Sequence, residues 1–181
     1  ASLHQSGFRY SRLISAFPCV VRQCGLTLRV PPHRSHSALN PSAIRQLMNS
    51  VLAPEPLVFV DLETTGANFA NDRIIEIGFV ENDSAGVREW SSLSNADASI
   101  SPFITGLTGI NTAMVSSAPR FADVAPLVIE KLRGRLFIAH NARFDYTFLK
   151  REFLRLGIGF RASNLCTVKL SRKLFPEHHR H

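Results

Sequence analysis

Cysteine is scarce in this chain of 181 residues, and the three present, Cys19, Cys24 and Cys166, form neither a C-x-x-C pair nor an even set. That excludes a disulfide framework and a cysteine-ligated structural zinc, and it points to a reducing, cytoplasmic setting. Long apolar runs are missing too, since none approaches the roughly 18 residues that a membrane helix needs. Acidic side chains are absent from residues 1–54, which hold six Arg and no Lys, whereas residues 55–181 hold 15 basic and 14 acidic residues. The formal charge of +7 therefore divides into +6 for the front segment and +1 for the remainder. The pI near 10.0 belongs to that front segment and marks no basic stripe on the part behind it.

What is there describes a globular chain: 45% hydrophobic and 19% charged residues, in a length that allows one ordinary domain with an appendage. The division falls near residue 55. Residues 1–55 are rich in Arg, Ser and Pro ("RVPPHRSHSALNPSAIRQ") and carry no sustained hydrophobic period, so they are expected to be disordered or non-native. Three readings compete for them: a mitochondrial-type targeting peptide, a basic nucleic-acid tail, or sequence upstream of the true start. Met48, the first methionine, stands 13 residues before Asp61 and favours the last. The apolar patch "LISAFPCVV" follows Arg9 and Arg12 but contains Pro18 and runs into Arg22 without a small-residue cleavage site, which rejects a secretory signal.

From Pro56 onward the periodicity is readable. "PLVFVD" is a continuous apolar run, as expected of a central strand covered on both faces. "RIIEIGFVEND" and "GVREWSSLSN" predict two further strands joined by a turn near Gly86, close enough to pair antiparallel. Phe121, Val124, Ala125, Val128 and Leu132 recur at helical spacing up to Gly134, with Pro126 inside. "RLFIAH" predicts a fourth strand. The helix "NARFDYTFLKREFLRLG" follows it, with Asn141 as N-cap and Gly157 as stop. A short fifth strand around "SNLCTV" leads into a helix starting in "KLSRKLF". The expected fold is α/β, a mixed sheet of about five strands (three antiparallel, then two parallel) flanked by helices.

Two acids close the first strand. Asp61 and Glu63 are two residues apart in an extended segment and so project to one side, while Asp145 lies in the first turns of its helix, on a stripe running through Leu149, Glu152 and Leu156. If strand four lies beside strand one, three carboxylates meet at one sheet edge. Such a group is expensive to desolvate unless a cation joins it, and hard oxygen donors suit Mg²⁺ or Mn²⁺. Two ions about 4 Å apart would suit displacement at a phosphodiester. Each acid also has a plainer reading. Asp61 and Glu63 could open a polar turn with Thr64, Thr65 and Gly66, and Asp145 could be a first-turn acid favoured by the helix dipole. Glu76 is expected as a structural strand acid and His140 as a satisfied strand-end histidine.

These residues also carry a resemblance. "FVDLETTG" resembles the first motif of the DEDD exonuclease superfamily and "AHNARFDYTFL" its second. "SPFITGLTGI" between them is similar to the connecting segment of the branch containing the epsilon proofreading subunit of bacterial DNA polymerase III. The likeness spans residues 56–181. It implies an RNase H-like fold and 3′-5′ exonuclease activity on DNA or RNA with two divalent cations, Mg²⁺ or Mn²⁺. By motif position, Asp61 would bridge both ions, Glu63 would help to hold the catalytic one, and Asp145 would ligate the second. Thr64 and Thr65 would approach the terminal nucleotide, and Phe144 would pack near its sugar or base. His140 and Asn141 belong to the second motif on the substrate side. The implied partners are a nucleic acid with a free 3′ end, single-stranded DNA foremost, and a DNA polymerase.

The His subtype of this superfamily completes its site with a third motif, His then four residues then Asp, which does not follow the fifth strand here. His178, His179 and His181 in "KLFPEHHRH" lack the following Asp and read as a polar turn. The expectation is a domain incomplete at its C-terminus, without its final helix, water-activating histidine and fourth carboxylate, and inactive by itself. The competing class is a degenerate exonuclease-like module that binds nucleic acid or a polymerase without cutting. The segment "LCTVKLSRKLFPEHHRH" also resembles bacterial proteins in which this nuclease is fused to a GIY-YIG endonuclease domain.

Overall fold

The structure, a computed structural model, describes residues 56–177. The basic front segment with Cys19, Cys24 and Met48, and the histidines 178, 179 and 181, lie outside the described residues. Five strands form one sheet in the order β3-β2-β1-β4-β5. Strand β1 (Leu57–Thr64) is central, pairing antiparallel with β2 (Ile74–Asp83) and parallel with β4 (Leu136–Ala139). Strand β3 (Gly86–Leu93) extends the antiparallel side through a tight turn at Gly86, whose φ of 105° is open to glycine. Strand β5 (Asn164–Cys166) lies parallel to β4 at the other edge. The predicted mixed sheet and its strand directions are therefore observed.

Helix α3 (Phe121–Leu132) and helix α4 (Arg143–Arg155) cover one face of the sheet. Alternation along β1 sends Val58, Val60 and Leu62 into a core with Phe79, Phe121, Val128, Phe137, Phe148 and Phe153. The expectation that "PLVFVD" is covered on both faces holds only in part. Leu57, Phe59, Asp61 and Glu63 on the opposite face are half-buried, because both core helices pack on the Val60 side.

Two short helices occupy the connection between β3 and α3, where the sequence pattern predicts none. Ser101 and Asn111 cap α1 (Pro102–Thr108) and α2 (Thr112–Ser116), each accepting a hydrogen bond from a backbone N–H three residues on. These segments are too short for a helical period to stand out. They fold Ile104, Ile110 and Val115 onto Ile75, Ala96 and Ile100 as a second small core. A bulge between Glu63 and Thr64 precedes Ile75 in the ladder, placing Ile74 opposite Thr64 in the main core and leaving Ile75 to the second. The last helix, α5 (Thr167–Leu174), follows β5 directly. Among the described residues no helix is long and apolar enough to cross a membrane.

The start of α4 also departs from expectation. Asn141 is not its N-cap: it takes a left-handed backbone (φ 61°), its carbonyl accepts from Phe144 N–H, and Ala142 occupies the cap without a side-chain hydrogen bond. The chain turns sharply after β4, and asparagine tolerates that conformation better than most residues. Leu156 falls past the end of the helix and is exposed, while Gly157 follows with φ 72°, as expected of a stop.

Candidate active site

Strand β1 and helix α4 bring the sequence-predicted acids to one end of the sheet. Asp61 stands opposite Gly78 and Glu63 opposite Glu76 on β2, on the half-buried face, so Glu76 neighbours the site across the ladder. Because β4 runs parallel to β1, the turn after Ala139 delivers the first turn of α4, with Asp145, to the same end at which β1 finishes. Carboxyl ends of parallel strands are where open α/β sheets place their ligands.

Electrostatics ties the three acids together. Asp145 is 4% exposed. Burial, then the charge of Asp61 and to a smaller degree that of Glu63, push its carboxyl up to about 8, although backbone N–H groups of Asp145 itself and Leu62 pull it down. Burial first, and the two neighbouring carboxylates after it, thus favour the protonated form of Asp145. A divalent cation would reverse the sign of the local field and favour ionisation of all three. The donor chemistry thus fits Mg²⁺ or Mn²⁺. The spacing is open, however. Among the described residues no three His, Cys, Asp or Glu side chains converge closely enough to hold a metal ion by themselves, so a cation here would take further oxygens from water or from a phosphate.

The two threonines of the first motif serve the loop beyond it. Thr64 is buried and donates to the Gly66 carbonyl at 2.6 Å. Thr65 donates to Asp72 Oδ1 at 2.8 Å and accepts from the Arg73 backbone N–H. Asp72 Oδ2 accepts from Asn68 N–H and lies against Gly66, where an added Cβ would stand 2.4 Å from that oxygen. A side chain at position 66 would therefore push Asp72 off these hydrogen bonds. On the α4 side, Phe144 is half-buried and shares a tilted aromatic cluster with Phe69 and Phe148, with ring centroids 5.9 and 4.8 Å away. His140 is exposed, with Nδ1 3.1 Å from Thr167 Oγ1, and Asn141 is exposed in the turn. Burial pushes the Cys166 thiol up, but backbone N–H groups of Lys169, Ala142, Val168 and Asn141 outweigh it and hold the thiol below its usual value.

Sequence reasoning passed over Phe69, Asp72, Arg73 and Arg155, and named Glu152 only as part of a stripe. Glu152 is 1% exposed and accepts from Arg73 Nε at 2.7 Å, Arg73 Nη2 at 2.9 Å and Arg155 Nη1 at 3.1 Å. The available signal was a charged residue on the apolar stripe of α4, which implies a buried partner.

Comparison with known proteins gives a consistent result. A family model described as exonuclease matches residues 58–181. The PolC-type DNA polymerase III of Caldanaerobacter subterraneus subsp. tengcongensis is 40% identical over 121 residues, covering 66% of this chain and 9% of that protein. The 3′-5′ exonuclease DinG of Staphylococcus haemolyticus is 38% identical over 120 residues, covering 65% of this chain and 13% of that protein. The chain thus spans about a tenth of the length of these curated relatives. Among solved structures, exonuclease X in complex with 5′ overhanging duplex DNA superposes with a TM-score of 0.55 at 29% identity, over 69% of this chain and 68% of that one. With three antiparallel strands followed by two parallel ones, the fold is that of the RNase H-like exonucleases.

Proposed function

The chain belongs to the exonuclease family, and from that premise we propose that it is the nuclease unit of a 3′-5′ exonuclease of the proofreading or repair type, hydrolysing terminal phosphodiesters with divalent cations held by Asp61, Glu63 and Asp145. One observation carries this reading: the parallel pairing of β4 with β1 brings the buried Asp145, in the first turn of α4, to the end of the sheet where Asp61 and Glu63 close β1. Relatives named as a PolC-type DNA polymerase III and as 3′-5′ exonuclease DinG support the direction of cutting and the association with DNA metabolism. A fused GIY-YIG partner has only the sequence of residues 165–181 behind it.

The bound cations would activate a water and offset the charge that develops on the phosphate oxygens. The protein's part is placement. Strand β1, central in the sheet, holds Asp61 and Glu63 rigidly, and the turn at Asn141 sets Asp145 beside them. Phe144, backed by Phe148, offers an apolar surface to the sugar or base of the terminal nucleotide. Thr64 and Thr65, at the end of β1, fix the loop that follows it through their hydroxyl groups.

Two measurements test the reading. Mn²⁺ should be required for binding of a nucleoside 5′-monophosphate, the product of 3′-5′ cutting, and Asp61→Ala should abolish both. Monophosphate binding that ignores EDTA, or that survives Asp61→Ala, would overturn the assignment. A second reading, a nucleic-acid-binding module without hydrolysis, is favoured by the open spacing of the acids. It predicts binding of single-stranded DNA that does not depend on a divalent cation.

A further inference from the structure

Three acidic side chains carried by two separate elements can share a cation only if the elements are held in register. The apolar core joins β1 to α4, and a second, polar connection outside the site is the ion-paired cluster around Glu152. Glu152 lies seven residues after Asp145 on α4, about two helical turns along the same buried side. Arg73 meets it with a two-pronged fork, at 2.7 and 2.9 Å. Arg73 is in turn bound to the chain leaving β1: its carbonyl accepts from Thr65 N–H at 2.9 Å, and its N–H donates to Thr65 Oγ1 at 3.1 Å. Arg155 closes the arrangement by donating to Glu152 and, at 2.9 Å, to the carbonyl of Ala70 in the intervening loop. An unbroken path of short hydrogen bonds thus runs from Thr65, two residues past Glu63, to the helix that carries Asp145.

A buried ion pair is a poor device for stability, since apolar residues of similar volume often do as well or better. It is a good device for fixing geometry, because a guanidinium fork accepts a carboxylate in one plane and at one distance. We infer that Arg73, Glu152 and Arg155 form a clamp that sets the position of Asp145 relative to Asp61 and Glu63, and so act as positioning residues for the cation site. The inference rests on the proposed cation reading for its effect on metal binding, and on hydrogen bonding alone for its effect on the register of α4 against β1.

The test uses the full chain and two readouts. The first is Mn²⁺ affinity, from the electron paramagnetic resonance signal of free Mn²⁺. Arg73→Lys keeps the charge and removes the fork, and Glu152→Gln keeps the shape and removes the charge. Each should weaken Mn²⁺ binding about 10- to 100-fold, the range seen when groups that orient metal ligands are altered. Glu81→Gln serves as a control, since Glu81 is a buried acid paired with Lys131 and Arg135 at the other end of the sheet. It should leave Mn²⁺ affinity within about twofold. The second readout is amide hydrogen exchange in the metal-free protein. Exchange at residues 62–66 and in the first turn of α4 should accelerate together in Glu152→Gln and not in Glu81→Gln. Unchanged exchange in both segments, or equal losses of Mn²⁺ affinity in Glu152→Gln and Glu81→Gln, would overturn the clamp. A wild-type chain that binds no Mn²⁺ would overturn the cation reading instead and leave the exchange experiment to decide the clamp.

Discussion

Replacing Asp145 with asparagine should stabilise the metal-free protein by an amount that grows with pH. The side chain is 4% exposed, and burial together with Asp61 and Glu63 lifts its carboxyl from 3.8 to about 8. A carboxyl whose folded value lies above its unfolded one keeps a proton that the unfolded chain has already released. Its stability contribution is therefore fully present below about pH 4 and is lost as pH rises toward about 8. Each pH unit in that window costs about 1.4 kcal/mol. Between about pH 5 and about pH 8 the wild type should thus lose about 4 kcal/mol relative to a variant that cannot ionise at this position. Asparagine has nearly the same shape, and its side-chain carbonyl can still accept from Leu62 N–H. Urea unfolding followed by circular dichroism, in EDTA at several pH values across the window, measures the difference directly. The gain in Asp145→Asn should be small at the acid end and several kcal/mol at the alkaline end. Saturating Mn²⁺ should then restore the wild type at about pH 8, by mass action on the folded state, and help the variant much less. A difference that stays constant across the window, to within about 1 kcal/mol, would refute the reasoning, because neither burial nor the neighbouring acids would then be raising the Asp145 carboxyl.

Other predictions bear on the surroundings of the site. Glu81→Ala leaves Lys131 without its carboxylate and Arg135 with Asp83 alone; it should cost about 1–3 kcal/mol in urea unfolding, with no effect on Mn²⁺ affinity. Gly66→Ala drives a methyl group to 2.4 Å from Asp72 Oδ2; the Asp72 side chain must shift from its bonds to Thr65 and Asn68, and stability should fall by about 1–3 kcal/mol, partly recovered when Asp72→Ala is added. Cys166 should react with iodoacetamide at a lower pH in the folded chain than in the urea-unfolded chain, because backbone N–H groups favour its thiolate. The difference spectrum against Cys166→Ser isolates that signal from Cys19 and Cys24, and equal titration midpoints in the two states would contradict it.

Much of the architecture is legible in the order of residues. Strand and helix periods depend on neighbours in sequence, so the five strands, α3, α4 and α5 follow from hydrophobic spacing, and the apolar run ending in Asp61 and Glu63 marks the centre of the sheet. The front segment is marked off by composition, and the two acidic motifs stand out together through their resemblance to the exonuclease motifs, since each acid alone has a plainer reading. Tertiary structure decided what no local pattern encodes. Only the pairing of β4 beside β1 brings Asp145 within the field of Asp61 and raises its carboxyl. Only the folded chain joins Arg73 to Glu152 across 79 positions of sequence, and only packing on one face explains why Val60 is sealed while Asp61 is left half open. The physical reason is range: backbone propensity acts over a few residues, whereas charge, burial and side-chain hydrogen bonding act through space, between residues whose separation in the chain carries no information about their distance.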